Sequence, residues 1–524
     1  MSKFRVGIDV GSTHTDAVII DENNEIVAAD KTRTTPDVTS GIVSALKSVL
    51  EKSTISKDDV VAVMFGTTHI INALVQRKGL YKVGVLRLGK PATEAIEPML
   101  DWPNDLRIAV GNLKYIAKGG HEYTGEEISR IIPDELRKIA EAFKNLSVNA
   151  IAISSVFSIV NPSHEIEAAN IMRDVLGESI PITLSHEIGT VGLLERENAT
   201  ILNAATIGVM RKAIKALRKS LEDLGLSHAK MFFAQNDGTT ASAEYIEKYP
   251  IFTVVAPISN SIRGAYVLTG ITDAIVVDTG GTTSNIGALT KGYPRESLEV
   301  EIAGVRTNIR APDVSAIGIA GGSVVRVSNG EVTVGPESVG YELIFKGIAW
   351  GGGTITATDI ALAKGVMFID DPKCDPDIAR KKIPKEIVEK AYEHMVSKLE
   401  DGIDKIKTKA EPETIILVGG GSTMWPKVLK GAKEVIRPKY AQYANAIGAA
   451  TALVGATVEK AFSYETIDRN TAINETIKEA KSKAVEAGAD PVTLDVAEVE
   501  EVAMPYLPGT AVKIRVKVVG KLKL

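Results

Sequence analysis

The sequence predicts an α/β protein of two lobes with a small α+β appendage at its C-terminal end. Three observations lead to this class. The 524 residues are too many for one hydrophobic core and enough for two or three domains. Short strands joined by tight turns open the chain, and strands that alternate with helices follow. The opening strand-turn-strand pattern recurs in the second half, which indicates an internal duplication.

The first half begins with three predicted strands, over residues 5–9, 15–20 and 26–31, and the tight turns between them indicate antiparallel pairing. A helix is predicted over residues 38–50 and a strand over 60–65. A further helix begins near residue 68, and a strand over 83–86 follows it. This alternation implies right-handed crossovers and a sheet that is covered by helices on both faces.

The second half repeats the opening with predicted strands over residues 274–278 and 284–289. Two helical segments rich in small residues, 202–208 and 444–450, can approach each other closely, so we place them at a crossing between the lobes, where they act as a hinge. Two unrelated alanine-rich core helices are the alternative. The predicted domains are an N-terminal lobe over 1–200, a second lobe over 201–461 and a small α+β domain over 462–524.

Composition and charge exclude several classes of protein. Hydrophobic residues make up 44% and charged residues 24% of the chain, as in ordinary globular proteins. The net charge of −5 is small, and no basic run with interleaved aromatics occurs, so no nucleic-acid interface is predicted. No apolar run is long enough to span a membrane. The N-terminus lacks a signal-peptide pattern and Cys374 has no internal disulfide partner, so we expect a cytoplasmic location.

Each half carries an Asp-x-Gly-x-Thr turn between two apolar strands. Glycine lets the backbone approach a phosphate, successive amides form an anion-binding nest, and the threonine hydroxyl adds a donor. An aspartate before such a turn repels phosphate, so its useful role is to hold Mg²⁺ through water. Asp9 and Asp278 are therefore the predicted metal ligands. Paired structural hairpins are the alternative. The predicted phosphate-binding residues are Gly11, Ser12, Thr13, Gly280, Gly281 and Thr282.

Two further segments have the form of nucleotide contacts. A buried strand over residues 414–418 runs into Gly419, Gly420 and Gly421, whose missing side chains leave room for a ring or ribose, although such a run also makes a flexible turn. Thr68 follows Gly66 at a strand-to-helix junction, which is an anion site when the first amides of the helix are free. The alternative for Thr68 is an ordinary helix N-cap.

These elements in this order resemble the superfamily of actin, Hsp70 and sugar kinases, whose fold is a duplicated actin-like (ribonuclease H-like) ATPase. The segment GIDVGSTHTD, residues 7–16, resembles the opening of the hydantoinase/oxoprolinase family, and specifically of its A-type subunit. Further segments are similar to family landmarks, and they lie at residues 66–79, 161–165, 185–187, 195–204, 278–282, 321–323, 335–338 and 354–359. The resemblance extends over about residues 4–457.

The resemblance implies ATP-dependent opening of a cyclic amide such as a hydantoin, 5-oxoproline or a lactam, with ATP and Mg²⁺ as cofactors. Phosphorylation of the amide oxygen makes that oxygen a leaving group before water attacks. The residues that the resemblance places in catalysis are Asp9, Asp278 and Thr68. The sequence departs from the family pattern at Phe65, at Ser315 and over Tyr341 to Trp350, so phosphoryl chemistry is better supported than hydantoin specificity.

The chain contains no separate hydrolase half, so the resemblance also implies a B-type partner subunit and an oligomer. An ATP-dependent carboxylase subunit of the same family is a second interpretation. A third is a non-catalytic, nucleotide-switched binding protein in which closure of the lobes exposes or hides a partner surface.

Overall fold

The computed structural model describes residues 3–11, 14–33, 38–297, 299–505, 507 and 509–524. Within them, the chain starts with a β-hairpin and then alternates between strands and helices. The elements of the first quarter are β1 (Phe4–Val10), β2 (His14–Ile20), β3 (Ile26–Arg33), α1 (Val38–Lys52), β4 (Val60–Gly66), α2 (His69–Gln76), β5 (Val83–Lys90), α3 (Asn104–Val110), β6 (Leu113–Lys118) and α4 (Pro133–Asn145).

The middle of the chain continues the alternation as far as the second β-hairpin. Its elements are β7 (Ala150–Ser155), α5 (Ser163–Leu176), β8 (Ile182–Leu184), α6 (Ser185–Ile188), α7 (Leu193–Asp223), β9 (Lys230–Ala234), β10 (Thr240–Ser242), α8 (Ala243–Lys248), α9 (Ala256–Thr269), β11 (Ala274–Thr279) and β12 (Ser284–Thr290). The predicted strands of both hairpins are confirmed.

Short strands and turns follow the second hairpin, and longer elements end the chain. The elements are β13 (Tyr293–Pro294), β14 (Glu296–Ser297), β15 (Val300–Ile302), β16 (Val305–Thr307), β17 (Ala311–Pro312), β18 (Val314–Ile317), β19 (Ser323–Ser328), β20 (Glu331–Ser338), α10 (Leu343–Lys346), α11 (Ala357–Lys364), α12 (Pro376–Lys382), α13 (Lys385–Ile406), β21 (Glu413–Val418), β22 (Ala432–Ile436), α14 (Ala444–Thr451), β23 (Val454–Ser463), α15 (Arg469–Glu486), β24 (Asp495–Ala503) and β25 (Ala511–Gly520).

Two mixed sheets form the cores of the two lobes. In the described residues, the first sheet has the strand order β24-β25-β23-β10-β9-β4-β1-β2-β3, and the second has the order β13-β12-β11-β21-β22 with β18 paired to β12. Each sheet combines an antiparallel hairpin, β1-β2 or β11-β12, with a parallel neighbour, β4 or β21. This shared plan is what the predicted internal duplication requires. A smaller parallel sheet, β6-β5-β7-β8, lies beside the first.

The strand pairing does not follow the predicted domain boundaries at residues 200 and 461. Strands β9 and β10 belong to the sheet of the N-terminal lobe, and so do β24 and β25, which were expected in a separate appendage. The physical reason is that β25 pairs with β23 from Ala511 to Gly520 and is buried along almost its whole length. Two basic residues of this strand, Arg515 and Lys517, are buried and paired with acidic side chains.

The lobes meet at a crossing of α9 and α14, and each of these helices links one main sheet to the other. A Cβ atom on Gly264 would lie 1.9 Å from the Ala444 carbonyl oxygen, and one on Gly448 would lie 1.9 Å from the Asn260 carbonyl oxygen. Only glycine permits this reciprocal backbone contact. The crossing partner predicted for α14, residues 202–208, was wrong: that segment lies in α7, where Gly208 packs against Tyr81.

None of the described helices is long and apolar enough to cross a membrane.

Candidate functional site

The two Asp-x-Gly-x-Thr turns share one main-chain hydrogen bond. In the first, the Gly11 N–H group donates to the His14 carbonyl oxygen over 2.9 Å, and in the second the Gly280 N–H group donates to the Thr283 carbonyl oxygen over 3.1 Å. Each turn joins two antiparallel strands, and the aspartate stands one residue before the last residue of the first strand. The predicted residues Ser12 and Thr13 lie outside the described residues.

Asp9 is a buried carboxylate at the carboxyl edge of the first sheet. Its side chain is 3% exposed, and its Oδ1 atom has no hydrogen-bond partner among the described residues. Gly66 lies opposite it on β4, and a Cβ atom there would come within 2.6 Å of Oδ1. Burial raises the pKa of Asp9 well above its usual value, and the charges of Asp16 and Asp278 raise it further. The carboxylates of the two turns therefore interact across the space between the lobes.

Asp278 occupies the equivalent position on β11. The Asn445 side-chain amide donates to its Oδ2 atom over 3.5 Å, and a Cβ atom on Gly419 would lie 2.4 Å from its Oδ1 atom. Burial raises the pKa of Asp278, and hydrogen bonds from Ser261 and Asn445 oppose that increase in part. Asp278 therefore contacts residues of the crossing helices as well as residues of its own sheet.

The crossing helices direct several polar side chains at the two carboxylates. A Cβ atom on Gly66 would lie 2.8 Å from the Asn260 side-chain nitrogen, so Asn260 reaches the Asp9 side of the crevice. Among the described residues, both polar atoms of Asn260 and Asn445 Oδ1 are buried without a partner. Since native proteins satisfy nearly all buried polar groups, these atoms indicate a space that water or a polar ligand fills.

Hydrogen bonds from neighbouring segments hold the second turn. The Gly322 N–H group donates to the Gly281 carbonyl oxygen over 2.8 Å, and the Gly321 N–H group donates to the Gly280 carbonyl oxygen over 3.3 Å. The Trp425 indole donates to the buried Thr279 hydroxyl over 2.6 Å. These contacts engage the carbonyl side of the turn and hold it in one conformation.

The glycine run after β21 packs directly on the second turn. The Gly421 N–H group donates to the Thr279 carbonyl oxygen over 2.8 Å, and a Cβ atom on Gly421 would lie 2.6 Å from Thr279 Cγ2. Gly419 has a φ of +85°, a left-handed conformation that favours glycine. Gly420 is exposed and faces the crevice, with Lys31 Nζ 3.9 Å from the position of its Cβ atom. The structure thus gives a packing reason for Gly419 and Gly421 and leaves Gly420 as the accessible residue.

Thr68 stands at the N-cap position of α2, where the predicted strand-to-helix junction occurs. Its hydroxyl does not cap the helix amides but accepts from the Asn72 side chain over 3.2 Å. Thr67 is buried, and its hydroxyl contacts the His69 ring. The junction follows Gly66, so the N-terminus of α2 begins next to Asp9.

Two charged residues of the crevice, Asp16 and Lys31, were missed as site residues by the sequence reasoning. They lie side by side on β2 and β3 with Lys31 Nζ 2.5 Å from Asp16 Oδ1, and Asp16 lies opposite Asp9. Lys31 thereby compensates one of the three negative charges of Asp9, Asp16 and Asp278. Pairing the three predicted strands β1, β2 and β3 in register would have revealed both residues, because that register places positions 9, 16 and 31 in one row across the sheet.

The crevice suits a hydrated magnesium ion. The buried Asp9 carboxylate has one unpaired oxygen and a raised pKa, and the pKa of Asp278 is also raised, so a cation between them would stabilise both charged forms. In the described part of the chain, no three acidic, histidine or cysteine side chains are close enough to enclose a metal ion directly. Mg²⁺ commonly keeps several waters and takes only one or two protein carboxylates together with substrate phosphates. Asp9 and Asp278 fit that mode of binding.

Family models match most of the chain. A model of the hydantoinase/oxoprolinase N-terminal region matches residues 5–176, and a hydantoinase/oxoprolinase model matches residues 196–458. Caprolactamase subunit alpha from Pseudomonas jessenii is 27% identical over 86% of this chain and 70% of that protein. Acetone carboxylase beta subunit from Xanthobacter autotrophicus is 23% identical over 70% of this chain and 54% of that protein. The 5-oxoprolinase of Saccharomyces cerevisiae is 26% identical over 46% of this chain and only 19% of that protein.

Solved structures show the same fold. The crystal structure of ATP-dependent caprolactamase from Pseudomonas jessenii aligns with a TM-score of 0.81 at 20% identity, over 99% of this chain and 88% of that one. Nucleotide-free acetone carboxylase aligns with a TM-score of 0.68 at 18% identity, over 100% of this chain and 88% of that one. These alignments confirm the predicted α/β fold.

Proposed function

Because the chain belongs to the hydantoinase/oxoprolinase family, we propose that it is the ATP-dependent subunit of a cyclic-amide hydrolase. The observation that carries the proposal is the convergence of two related Asp-x-Gly-x-Thr turns, with Asp9 and Asp278, on the crossing of α9 and α14. Relatives named caprolactamase subunit alpha and 5-oxoprolinase support the substrate class.

The two turns bind the phosphates of ATP from opposite lobes. The amides of Gly281 and Thr282 and, by the repeat of the motif, those of residues 12 and 13 donate to phosphate oxygens. Gly419, Gly420 and Gly421 border the nucleoside end. Asp9 and Asp278 hold Mg²⁺ through water, and the bound ion neutralises phosphate charge. Lys31 lies on the same side as Gly420 and contributes a further positive charge to the crevice.

The reaction begins with transfer of the γ-phosphoryl group of ATP to the carbonyl oxygen of the amide. Resonance makes the carbonyl carbon of an amide a poor electrophile, and phosphorylation of the oxygen removes that resonance. ADP leaves, water attacks the carbon, and the ring C–N bond breaks as the nitrogen takes up a proton. The acyl phosphate that results is hydrolysed by a second water to a carboxylate and phosphate. The residues of this chain contribute in-line positioning and charge stabilisation in the first step, and Thr68 at the N-terminus of α2 orients the group that is transferred.

The hydrolytic step requires a B-type partner subunit in this proposal, and the active assembly is an oligomer. Relatives that are named as alpha, beta and gamma subunits support a multi-subunit enzyme.

The test is ADP release by the purified chain in the presence of ε-caprolactam, 5-oxoproline or hydantoin, with and without a candidate partner. We expect at least one compound to stimulate ADP release and Asp278→Asn to abolish that stimulation. Asp404→Asn, at an exposed position on α13, is the matched control. Basal ADP release that none of the compounds changes would contradict the substrate class.

A second candidate is an ATP-dependent carboxylase subunit. It is favoured by the acetone carboxylase beta subunit among the relatives and by the alignment of acetone carboxylase with the whole chain. ADP release that depends on bicarbonate and a ketone, and not on a lactam, would support the carboxylase function over the cyclic-amide hydrolase. A nucleotide switch without catalysis predicts tight ATP binding and turnover that no small molecule alters.

A further inference from the structure

A second cavity, the chamber, lies in the first lobe beside the phosphate crevice, and both polar and apolar atoms line it. It encloses about 150 Å³, the size of an engineered cavity that accepts a benzene ring. Its walls come from β23, from Arg515 on β25, from the loop after β9 and from the segment that carries Asn308 and Arg310. A molecule with one six- or seven-membered ring is of suitable size.

The chamber is lined by polar atoms that have no partner. Of the described side chains, buried atoms without a hydrogen bond include five in this lining: Asn308 Oδ1, Arg310 Nε, Thr457 Oγ1, Glu459 Oε1 and Arg515 Nε. Leaving a buried donor or acceptor unsatisfied costs about 1–3 kcal/mol. So many at one place are typical of a site built for a polar ligand, and they include both donors and acceptors.

The charged groups around the chamber are paired with one another. Arg310 contacts Glu459 at 3.1 Å and Glu500 at 3.3 Å, and Arg515 contacts Glu296 at 2.5 Å. Lys517, just behind Arg515 on β25, contacts Asp237 at 3.0 Å. Since these charges compensate each other, a ligand with a net charge would unbalance the network, and an uncharged polar ligand would not.

The chamber shares a wall with the phosphate crevice. Strand β9 runs parallel to β4 with Phe233 opposite Phe65, so Asn236 leaves the sheet at the same edge as Gly66. The Ser259 hydroxyl on α9 donates to the Asn236 carbonyl oxygen, and the next residue, Asn260, reaches Gly66 in the crevice. Asn236 and α9 therefore connect the chamber to the crevice.

We infer that this chamber binds the acceptor molecule, an uncharged cyclic amide whose carbonyl and N–H groups meet the unpaired donors and acceptors. A ring amide presents these two groups on one edge, which matches a lining that offers both kinds of partner. The inference rests on the proposed function for its choice of ligand and on the unpaired atoms for the position of the site.

The test is the variant Thr457→Val of the full chain, with Thr476→Val as the control. Thr457 loses an unpaired hydroxyl, whereas Thr476 is a buried threonine on α15 whose hydroxyl donates to the Ala472 carbonyl oxygen outside the chamber. Binding of ε-caprolactam is measured by isothermal titration, and the dissociation constant of MgATP and the melting temperature are measured in parallel. We expect Thr457→Val to weaken lactam binding about fivefold, the effect of one hydrogen bond. MgATP binding and the melting temperature should not fall.

Each outcome separates the chamber from the proposed function. If lactam binding weakens in Thr457→Val but no lactam stimulates ADP release, the chamber is supported as the lactam site and the proposed hydrolase function is refuted. If a lactam stimulates ADP release and its KM is unchanged in Thr457→Val, the proposed function is supported and the chamber is refuted as the lactam site. Equal weakening in Thr457→Val and Thr476→Val shows a packing effect, and absence of lactam binding to the unaltered chain also overturns the inference.

Discussion

Replacing Asp9 by asparagine should stabilise the free protein and weaken its response to nucleotide. The carboxylate is buried, carries an unpaired oxygen and is close to the charges of Asp16 and Asp278. An unsatisfied buried polar atom costs about 1–3 kcal/mol, and more when it is charged. Asparagine removes the charge and keeps one unpaired atom, so the variant should gain about 1 kcal/mol in the free energy of unfolding without ligand.

The response to nucleotide should change in the opposite direction, because Asp9 holds the hydrated magnesium ion in the proposed site. A ligand at 100 times its dissociation constant stabilises a protein by about 2.7 kcal/mol. If the variant binds MgATP tenfold more weakly, the same concentration stabilises it by about 1.4 kcal/mol. The stabilisation by MgATP should therefore fall by about half.

Scanning calorimetry of the wild type and Asp9→Asn, with and without MgATP at one pH, measures both effects. Asp58→Asn is the control, since Asp58 is exposed and precedes β4. We expect a higher melting temperature for Asp9→Asn than for the wild type without nucleotide and a smaller rise with it. A variant that melts earlier when free and keeps the full nucleotide-induced rise would refute the reasoning about this carboxylate.

Three further predictions concern other parts of the molecule. Lys31→Gln should weaken MgATP binding about tenfold by equilibrium titration because it leaves the crevice carboxylates without a compensating charge. Lys47→Gln, which removes an exposed pair with Glu51, should change stability by less than about 1 kcal/mol. Gly264→Ala should cost about 3 kcal/mol in urea unfolding by forcing the crossing helices apart, whereas Gly353→Ala, with open space around it, should cost less than about 0.5 kcal/mol. Burial opposes ionisation of Glu165, but hydrogen bonds from its neighbours lower its pKa, so Glu165→Gln should cost about 3 kcal/mol at pH 7 and less as the pH falls below about 4.

The local features of the site were predictable because they depend on short-range chemistry. A strand that ends in Asp-x-Gly-x-Thr needs glycine for the turn and an apolar strand for the sheet, and both are visible in the residues of each half. The hairpins β1-β2 and β11-β12 and the strand before Gly419 were therefore predicted correctly. The positions of Asp9 and Asp278 at strand ends followed from the same pattern.

Long-range pairing was not predictable from local patterns. Arg515 and Lys517 alternate with apolar residues as they would on a half-exposed strand, and only the tertiary structure brings acidic partners to them. The same reason explains the error about the helix crossing. Both α7 and α9 contain small residues, and which of them meets α14 depends on how the lobes are connected rather than on composition.

The order of the residues was enough to show two related halves, each with a turn suited to phosphate, because a repeated local motif consists of consecutive residues. Three features are visible only in the folded protein: Lys31 and Asp16 join Asp9 in the crevice, the C-terminal strands complete the first sheet, and the chamber lies beside that sheet. These features depend on contacts between residues far apart in the chain, and the free energy of such contacts arises only when the whole fold has formed.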